Sequence, residues 1–353
     1  MNRKQFTGSL AALLASTLAG ASPVGAASPN PQEEGKFRHP EFLYIGDIIG
    51  ITTPAGPIEL AGIQPAKKIL ESWGFKIHIG QTVGKKQFTF GGTDEERRQD
   101  FQALLDDENV KAILCGRGGY GIVRIIDQLD FTRFMKHPKW IIGFSDITIL
   151  HQHLQHRFHM ASIHSKMCNS FPDDWTTADY IQQNSIISLQ NALIGKKLEY
   201  HLPANPANRN GIASGILVGG NLRIIESLIG TSGGLDTKGK ILFLEDADEY
   251  LYNIDRMFWH LKAAGKLSQL KGLVIGGFKI KPDDPGDEFG LSLEQIIAEK
   301  TAAYSYPVCY GLPVGHQKNN FAVRCGMPCQ LEVNESGAFL IQAGWKEIQQ
   351  QPL

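Results

Sequence analysis

The chain has 353 residues, of which 42% are hydrophobic and 20% charged, with a net charge of −1. This length allows two domains, and the composition is that of a globular protein with a sizeable core. A near-neutral chain without a basic stripe excludes nucleic acid as the main partner, and the longest apolar run is too short for a membrane span.

The N-terminus has the features of a secretory signal peptide. Arg3 and Lys4 precede an apolar run at 10–20, and the segment 24–26 (Val-Gly-Ala) fits a cleavage site. We therefore predict that residues 1–26 are removed on export and that the mature protein is periplasmic.

Residues 38–170 are predicted to form an α/β domain. Apolar strand patterns alternate with helix patterns, the strands at 47–53, 75–79, 110–115 and 140–143 and the helices at 60–73, 93–107, 122–129 and 131–136. This alternation indicates a mostly parallel sheet with helices on both faces. Functional groups then belong at the carboxyl ends of the strands.

The second half of the chain is predicted to form an α/β domain with more β character at 207–348. A polar segment at 171–206 with one helix precedes it and is expected to be a linker. The strand patterns lie at 214–218, 240–246, 273–278 and 308–316, and a terminal hairpin is expected at 329–342.

The segment 140–150 predicts a short strand, an abrupt turn and the start of a helix. Such a turn exposes the hydroxyl of Ser145 above the sheet, next to the first backbone N–H groups of the helix. The alternative is an ordinary helix N-cap, since serine and aspartate both cap helices well. The usual Gly-x-Ser-x-Gly pattern is also incomplete, because Ile147 occupies the position of its second glycine.

Three predicted strand ends carry Ser145, Glu245 and His316. A hydroxyl becomes a good nucleophile when an imidazole takes its proton and a carboxylate holds that imidazole in the right tautomer. The backbone N–H groups of Gly119, in the glycine-rich loop at 116–121, and of Asp146 are candidates for an oxyanion hole. The same loop lacks the Lys-Ser/Thr of a phosphate-binding loop and the full dinucleotide spacing.

Metal binding is the competing interpretation of two groups. One is a helix with histidines at 151, 153, 156 and 159, and the other is Cys325 with Cys329. The histidines lack the spacing and the interleaved acid of common zinc helices, and the cysteines are better explained as small buried hydrophobes. We predict no metal and no cofactor. His164 is a possible rival for the catalytic base.

Five motifs then occur in a fixed order along the chain. They are Arg-Gly-Gly-Tyr-Gly at 117–121, Gly-Phe-Ser-Asp at 143–146, Gly-Gly-Asn-Leu at 219–222, Leu-Glu-Asp at 244–246 and Gly-His at 315–316. With them, residues 47–333 resemble the serine peptidase family of LD-carboxypeptidases, which includes muramoyltetrapeptide carboxypeptidases and microcin C immunity carboxypeptidases.

The resemblance implies a role for each matching residue. Ser145 would be the nucleophile, Glu245 the residue that orients the base, and His316 the base. The backbones of Gly119 and Asp146 would form the oxyanion hole. It also implies a metal-free site between two domains and a homodimer, and it leaves His164 a structural or substrate-facing role.

We therefore predict a serine carboxypeptidase that releases the terminal D-Ala from murein tetrapeptides. A terminal carboxylate needs donors, and Arg117 and Asn221 are the candidates. One alternative is an immunity-type hydrolase of aminoacyl-nucleotide analogues. The other is an exported, non-catalytic protein that binds cell-wall peptides.

Overall fold

The structure is a computed structural model, and it describes residues 37–344. The predicted signal peptide at 1–26 lies outside the described residues, as do positions 345–348 of the predicted second domain. Within the described part, two sheets and their helices form an α/β fold, as predicted. No helix between residues 37 and 344 combines the length and the apolar character needed to cross a membrane.

The first half of the chain alternates strands with helices. The strands are β1 (Ile48–Thr52), β2 (Lys76–Ile79), β3 (Val110–Cys115), β4 (Trp140–Gly143) and β5 (Ser162–His164). The helices are α1 (Leu60–Ser72), α2 (Asp94–Asp106), α3 (Thr132–Lys136), α4 (Thr148–Phe158) and α5 (Tyr180–Leu193). Helix α2 begins with a capping box, in which Thr93 and Glu96 exchange side-chain and backbone hydrogen bonds.

The second half contains eight strands and three helices among the described residues. The strands are β6 (Leu198–Pro203), β7 (Gly211–Asn221), β8 (Ile241–Glu249), β9 (Gly272–Ile280), β10 (Val308–Gly315), β11 (Val323–Cys325), β12 (Pro328–Asn334) and β13 (Gly337–Gln342). The helices are α6 (Leu222–Ser227), α7 (Leu251–Ala263) and α8 (Leu293–Thr301).

The two sheets differ in strand direction. The first has the order β11-β5-β4-β3-β1-β2, and its strands β1 to β5 are parallel, as predicted. The second has the order β10-β9-β8-β7-β12-β13-β6, with a parallel half and an antiparallel half. Strands β3 and β4 are almost wholly buried and apolar, which is typical of parallel strands covered on both faces.

The structure differs from the sequence prediction in three places. The helix expected at 122–129 is a pair of 3₁₀ turns, Ile122–Arg124 and Ile126–Gln128. The expected linker at 171–206 contains its predicted helix, α5, but it also contributes the edge strand β6 to the second sheet. Strand β11, from the predicted second domain, pairs with β5 in the first sheet.

Candidate active site

The first site element is the turn after β4. Ser145 has a φ of 63°, a left-handed conformation that is strained for a residue with a side chain. A Cβ on Gly143 would lie 2.7 Å from Ile147 Cγ1, so the glycine makes room for the isoleucine that follows the turn. The incomplete Gly-x-Ser-x-Gly pattern is thus compatible with a tight turn, and the predicted abrupt turn is confirmed.

Asp146 links this turn to the glycine-rich loop. Its carboxylate Oδ2 accepts a hydrogen bond from the backbone N–H of Ile122 at 3.0 Å. Burial raises the pKa of Asp146 to about 6, although this hydrogen bond opposes the rise. Neither Ser145 nor Asp146 makes a side-chain capping bond at the start of α4, so the N-cap alternative is wrong.

The glycine-rich loop lies directly against Ser145, the predicted nucleophile. A Cβ on Gly118 would lie 3.0 Å from Ser145 Cβ and 3.3 Å from Ser145 Oγ. The carbonyl of Gly118 accepts a hydrogen bond from the backbone of Gly56 at 3.0 Å, and Gly119 follows with a φ of 114°. The loop is therefore held against Ser145 at Gly118, and the role of the following N–H, that of Gly119, as an oxyanion donor stays a prediction.

Glu245 and His316 come from the second sheet. Glu245 lies on β8, and His316 directly follows β10. A Cβ on Gly315 would lie only 2.5 Å from Glu245 Cβ, so a glycine is required for the end of β10 to come this close. As a result, His316 Nδ1 lies 2.7 Å from Glu245 Oε2.

The electrostatics of this pair suit a base and its orienting partner. Glu245 is wholly buried, and burial alone would raise its pKa. Burial is opposed by the hydrogen bond from His316 and by the imidazole of His164, 3.7 Å from the other carboxylate oxygen; together they lower the pKa of Glu245 to about 2, so it stays ionised at neutral pH. Burial lowers the pKa of His316, but its hydrogen bond to Glu245 and the charges of nearby carboxylates, Glu245 first, together outweigh burial, so the net shift is upward.

The two sheets meet at the site through several contacts. The ring of Phe144, next to Ser145, lies 5.0 Å from the ring of His316. The backbone N–H of Asn221 donates to Thr148 Oγ1 at 3.2 Å, which ties β7 to the start of α4. No hydrogen bond between Ser145 and His316 occurs within residues 37–344. Such bonds often close only when substrate is bound, so the three side chains still form a plausible site.

Asp246 is a site residue that the sequence did not single out. Its two carboxylate oxygens accept hydrogen bonds from the side chain of Asn221 and from the backbone of Arg223. Burial raises the pKa of Asp246 to about 7. Its arrangement parallels that of Asp146, because each acid directly follows a residue of the predicted triad and accepts a hydrogen bond from the backbone of a neighbouring turn.

Asn221 is only 6% exposed, and its side chain is engaged within the protein. Its Nδ2 donates to Asp246, and its Oδ1 caps α6 through the backbone N–H of Ile224. These bonds favour a structural role, and contact of Asn221 with substrate stays a prediction.

Arg117, in contrast, lines an open cleft beside the glycine-rich loop. The cleft has a volume of about 330 Å³ and is lined by Gly56, Pro57, Lys86, Phe88, Thr89, Arg117 and Gly119. Lys86 and Arg117 both carry a positive charge there, and neither forms an ion pair in the described part of the chain. No acidic residue lines the cleft, so its charge favours an anionic ligand.

The competing candidates have other surroundings. His164 is 0% exposed, so a substrate-facing role is wrong. All five cysteines are buried and free, as expected of small hydrophobes. Among residues 37–344, no group of three or more histidine, cysteine or acidic side chains is placed to hold a metal ion. Lys166 lies near the site but was not predicted from the sequence. Burial lowers its pKa, and its Nζ donates to the carbonyl of Gln317, the residue after His316.

Two family descriptions match separate parts of the chain. Residues 49–165 match the LD-carboxypeptidase N-terminal domain, and residues 214–331 match the LD-carboxypeptidase C-terminal domain. A probable murein peptide carboxypeptidase of Bacillus subtilis is 32% identical over 87% of this chain and 95% of its own length. A murein tetrapeptide carboxypeptidase of Pseudomonas aeruginosa is 32% identical over 81% of this chain and 93% of its own.

A solved structure agrees with these matches. The crystal structure of muramoyltetrapeptide carboxypeptidase from Oxalobacter formigenes superimposes with a TM-score of 0.75 at 26% identity, over 84% of this chain and 99% of that one. The fold and the relatives define a hydrolase of the peptidase class. The chain belongs to the LD-carboxypeptidase family.

Proposed function

We propose that this protein is a serine carboxypeptidase that cleaves the L-to-D peptide bond of murein tetrapeptides and releases the terminal D-Ala. The observation that carries the proposal is the 2.7 Å bond between Glu245 and His316, opposite the strained turn of Ser145. The names of the murein peptide relatives support the choice of substrate.

The proposed reaction follows from the roles of the three side chains. Ser145 Oγ attacks the carbonyl carbon of the L-residue, while His316 Nε2 takes the hydroxyl proton. The ionised Glu245 holds His316 through Nδ1 and stabilises the imidazolium. His316 then gives its proton to the departing D-Ala amine, and a water molecule releases the peptide from the acyl-enzyme by the reverse steps.

The oxyanion would be stabilised by backbone donors. The N–H groups of Gly119 and Asp146 belong to the two segments that meet at Ser145, since the glycine-rich loop and the serine turn share the Ile122–Asp146 hydrogen bond. Donors fixed in this way need no reorganisation when negative charge develops on the carbonyl oxygen.

An exopeptidase must also recognise the free end of its substrate. The cleft beside Gly119 offers Arg117 and Lys86 to a carboxylate, and its wall reaches the glycine-rich loop. A D-Ala leaving group seated there would place its carboxylate against these cations while its amide faces Ser145. Arginine binds carboxylates through paired N–H donors, so Arg117 is the stronger candidate.

Export and assembly complete the proposal. The charged start at Arg3 and Lys4, followed by a short apolar run, supports secretion to the periplasm. Mass spectrometry of the native protein should give a terminus near Ala27, and an intact Met1 would contradict export. Light scattering should give twice the monomer mass, as the family resemblance implies, and a monomer would contradict a homodimer.

The test of function compares three substrates. L-Ala-γ-D-Glu-diaminopimelate-D-Ala is assayed beside its C-terminal amide and its variant with L-Ala at the end, with released alanine measured by chromatography. We expect turnover of the tetrapeptide and rates lower by about 10³-fold or more for the other two, since a donor-lined pocket rejects ligands that cannot pair with it.

Controls separate the proposed function from its alternatives. Arg117→Ala should raise KM for the tetrapeptide, while Arg133→Ala, at an exposed position on α3, should not. Equal rates on the amide would refute carboxylate recognition. Cleavage of an aminoacyl-nucleotide analogue without tetrapeptide turnover would favour the immunity-type activity, and binding of tetrapeptide without turnover would favour a non-catalytic binding protein.

A further inference from the structure

A second histidine lies behind the catalytic glutamate. His164 ends β5, where it is in register with Gly143 on β4, so the sheet fixes it beside the nucleophile turn. Its imidazole packs against the rings of Phe144 and Phe243 at 5.8 and 5.2 Å. It is wholly buried, although neutral or charged imidazole is costly to bury without a polar partner.

The atoms that lack partners in this region face each other. Glu245 Oε2 accepts from His316, but its other oxygen, Oε1, is buried with no hydrogen-bond partner in the described structure. His164 Nε2 is also buried without a hydrogen-bond partner in the described structure, and it lies 3.7 Å from Glu245 Oε1. The carboxylate oxygen Oε1 is an acceptor without a donor, and the imidazole Nε2 becomes a donor in the tautomer that carries the proton on this nitrogen.

We propose that His164 is a positioning residue for the reaction, which holds Glu245 Oε1 so that Oε2 stays directed at His316 Nδ1. This inference rests on the proposed serine mechanism. A movement of a few tenths of an ångström brings the 3.7 Å contact within hydrogen-bond distance. A carboxylate held by one oxygen can rotate about its last torsion, whereas two donors on opposite oxygens fix its plane.

Other groups around Glu245 do not compete for this oxygen. Asp246 is adjacent in sequence, but its carboxylate is bonded to Asn221 and to the backbone of Arg223. Asp248 acts on His316 by charge and pairs with Lys279. His151, from α4, directs its Nε2 at the carbonyl of Gly143. Within the described residues, His164 Nε2 therefore offers Glu245 Oε1 a donor position that no hydrogen bond occupies.

The inference predicts a specific change in the pH dependence. A donor on Oε1 withdraws negative charge from the carboxylate and weakens its hold on the proton of His316. Removing that donor concentrates the charge on Oε2, so His316 keeps its proton to higher pH. The acid limb of the profile of kcat/KM then moves upward, because turnover requires neutral His316.

The experiment uses two variants of His164 and two matched controls. His164→Leu removes the donor, and His164→Gln places an amide N–H near the original Nε2. His153→Leu and His153→Gln alter another buried histidine, on α4, which packs against Phe131 and has no contact with Glu245 among the interactions of the described chain. Tetrapeptide turnover is measured from pH 5 to 9, with thermal unfolding of each variant.

We expect His164→Leu to lower kcat by about 10- to 100-fold, the usual size of a lost hydrogen bond to a charged group, with KM changed less than about twofold. Its acid limb should move upward, and His164→Gln should recover part of both changes. The acid limb of the His153 variants should stay at the wild-type pH.

Two outcomes would overturn the inference. One is that the acid limb of the kcat/KM profile of His164→Leu or His164→Gln stays at the wild-type pH, while activity falls by the same factor at all pH values. Structural damage would cause such a uniform loss. The other is a wild-type kcat in a folded His164→Leu. In both cases Ser145→Ala is assayed beside them: if it is inactive, only the role of His164 fails, and if it is active, the serine mechanism itself fails.

Discussion

Replacement of Glu245 by glutamine tests how much its charge contributes. The carboxylate is wholly buried, and its Oε2 lies 2.7 Å from His316 Nδ1, so the two charge centres in the imidazolium state are about 4 Å apart. At an effective dielectric constant of about 20, two unit charges at this distance attract by about 4 kcal/mol. Losing that attraction in the transition state corresponds to about 10³-fold in kcat/KM.

The assay is D-Ala release by Glu245→Gln across pH, beside Glu249→Gln as a control. Glu249 lies on the same strand, but its side chain bonds to Asn253, away from His316. The acid limb of Glu245→Gln should also move to lower pH, because the carboxylate is what raises the pKa of His316. A variant that keeps more than a tenth of wild-type activity, with its acid limb unmoved, would refute the charge-partner role.

Four further predictions follow from the site. Ser145→Ala and His316→Ala should each remove nearly all turnover, with a larger loss than Glu245→Gln, and near-normal activity of either in the D-Ala assay would contradict the triad. The kcat/KM of the wild type should fall as pH drops through a midpoint above about 6.5, since the pKa of His316 is raised and only its neutral form is a base; a midpoint below that value would contradict the raised pKa. Gly118→Ala should lower kcat about 100-fold with an unchanged melting temperature, because the added methyl group meets Ser145 Cβ at 3.0 Å. Gly233→Ala, where the new Cβ would make an ordinary 3.8 Å contact with Thr231 Oγ1, is the control, and equal activity of the two variants would refute this crowding. EDTA should leave turnover unchanged. Loss of turnover in EDTA, with recovery on adding Zn²⁺, would show a metal-dependent reaction.

The sequence predicted the parts of the site that depend on local pattern. Alternating strands and helices indicated a parallel sheet, and the carboxyl ends of such strands drew attention to Ser145, Glu245 and His316 before any contact was known. The structure brings Glu245 and His316 into contact and places the turn of Ser145 opposite them. The sharp turn itself could be predicted from the sequence because Gly143 and Ser145 lie between an apolar strand pattern and a helix pattern.

The parts that were missed depend on contacts between residues far apart in the chain. The segment predicted as a helix at 122–129 forms two 3₁₀ turns, and its first N–H, that of Ile122, donates to Asp146, which is 24 positions later. Strand β11 is too short to be recognised and joins the first sheet only through its pairing with β5. His164 looked like a rival base, and its burial behind Glu245 becomes visible only when the two sheets are packed together.

The division of the site between two sheets has a consequence for thermal inactivation. Ser145, the proposed nucleophile, follows a strand of the first sheet, and the proposed base His316 and its partner Glu245 belong to the second, while contacts such as Asn221 to Thr148 span the boundary. A slip of about 1 Å along that boundary would leave both sheets intact yet separate Ser145 from His316 enough to cost about 100-fold in rate. Activity is therefore expected to disappear during heating before the secondary structure does, which makes turnover a finer measure of this boundary than circular dichroism.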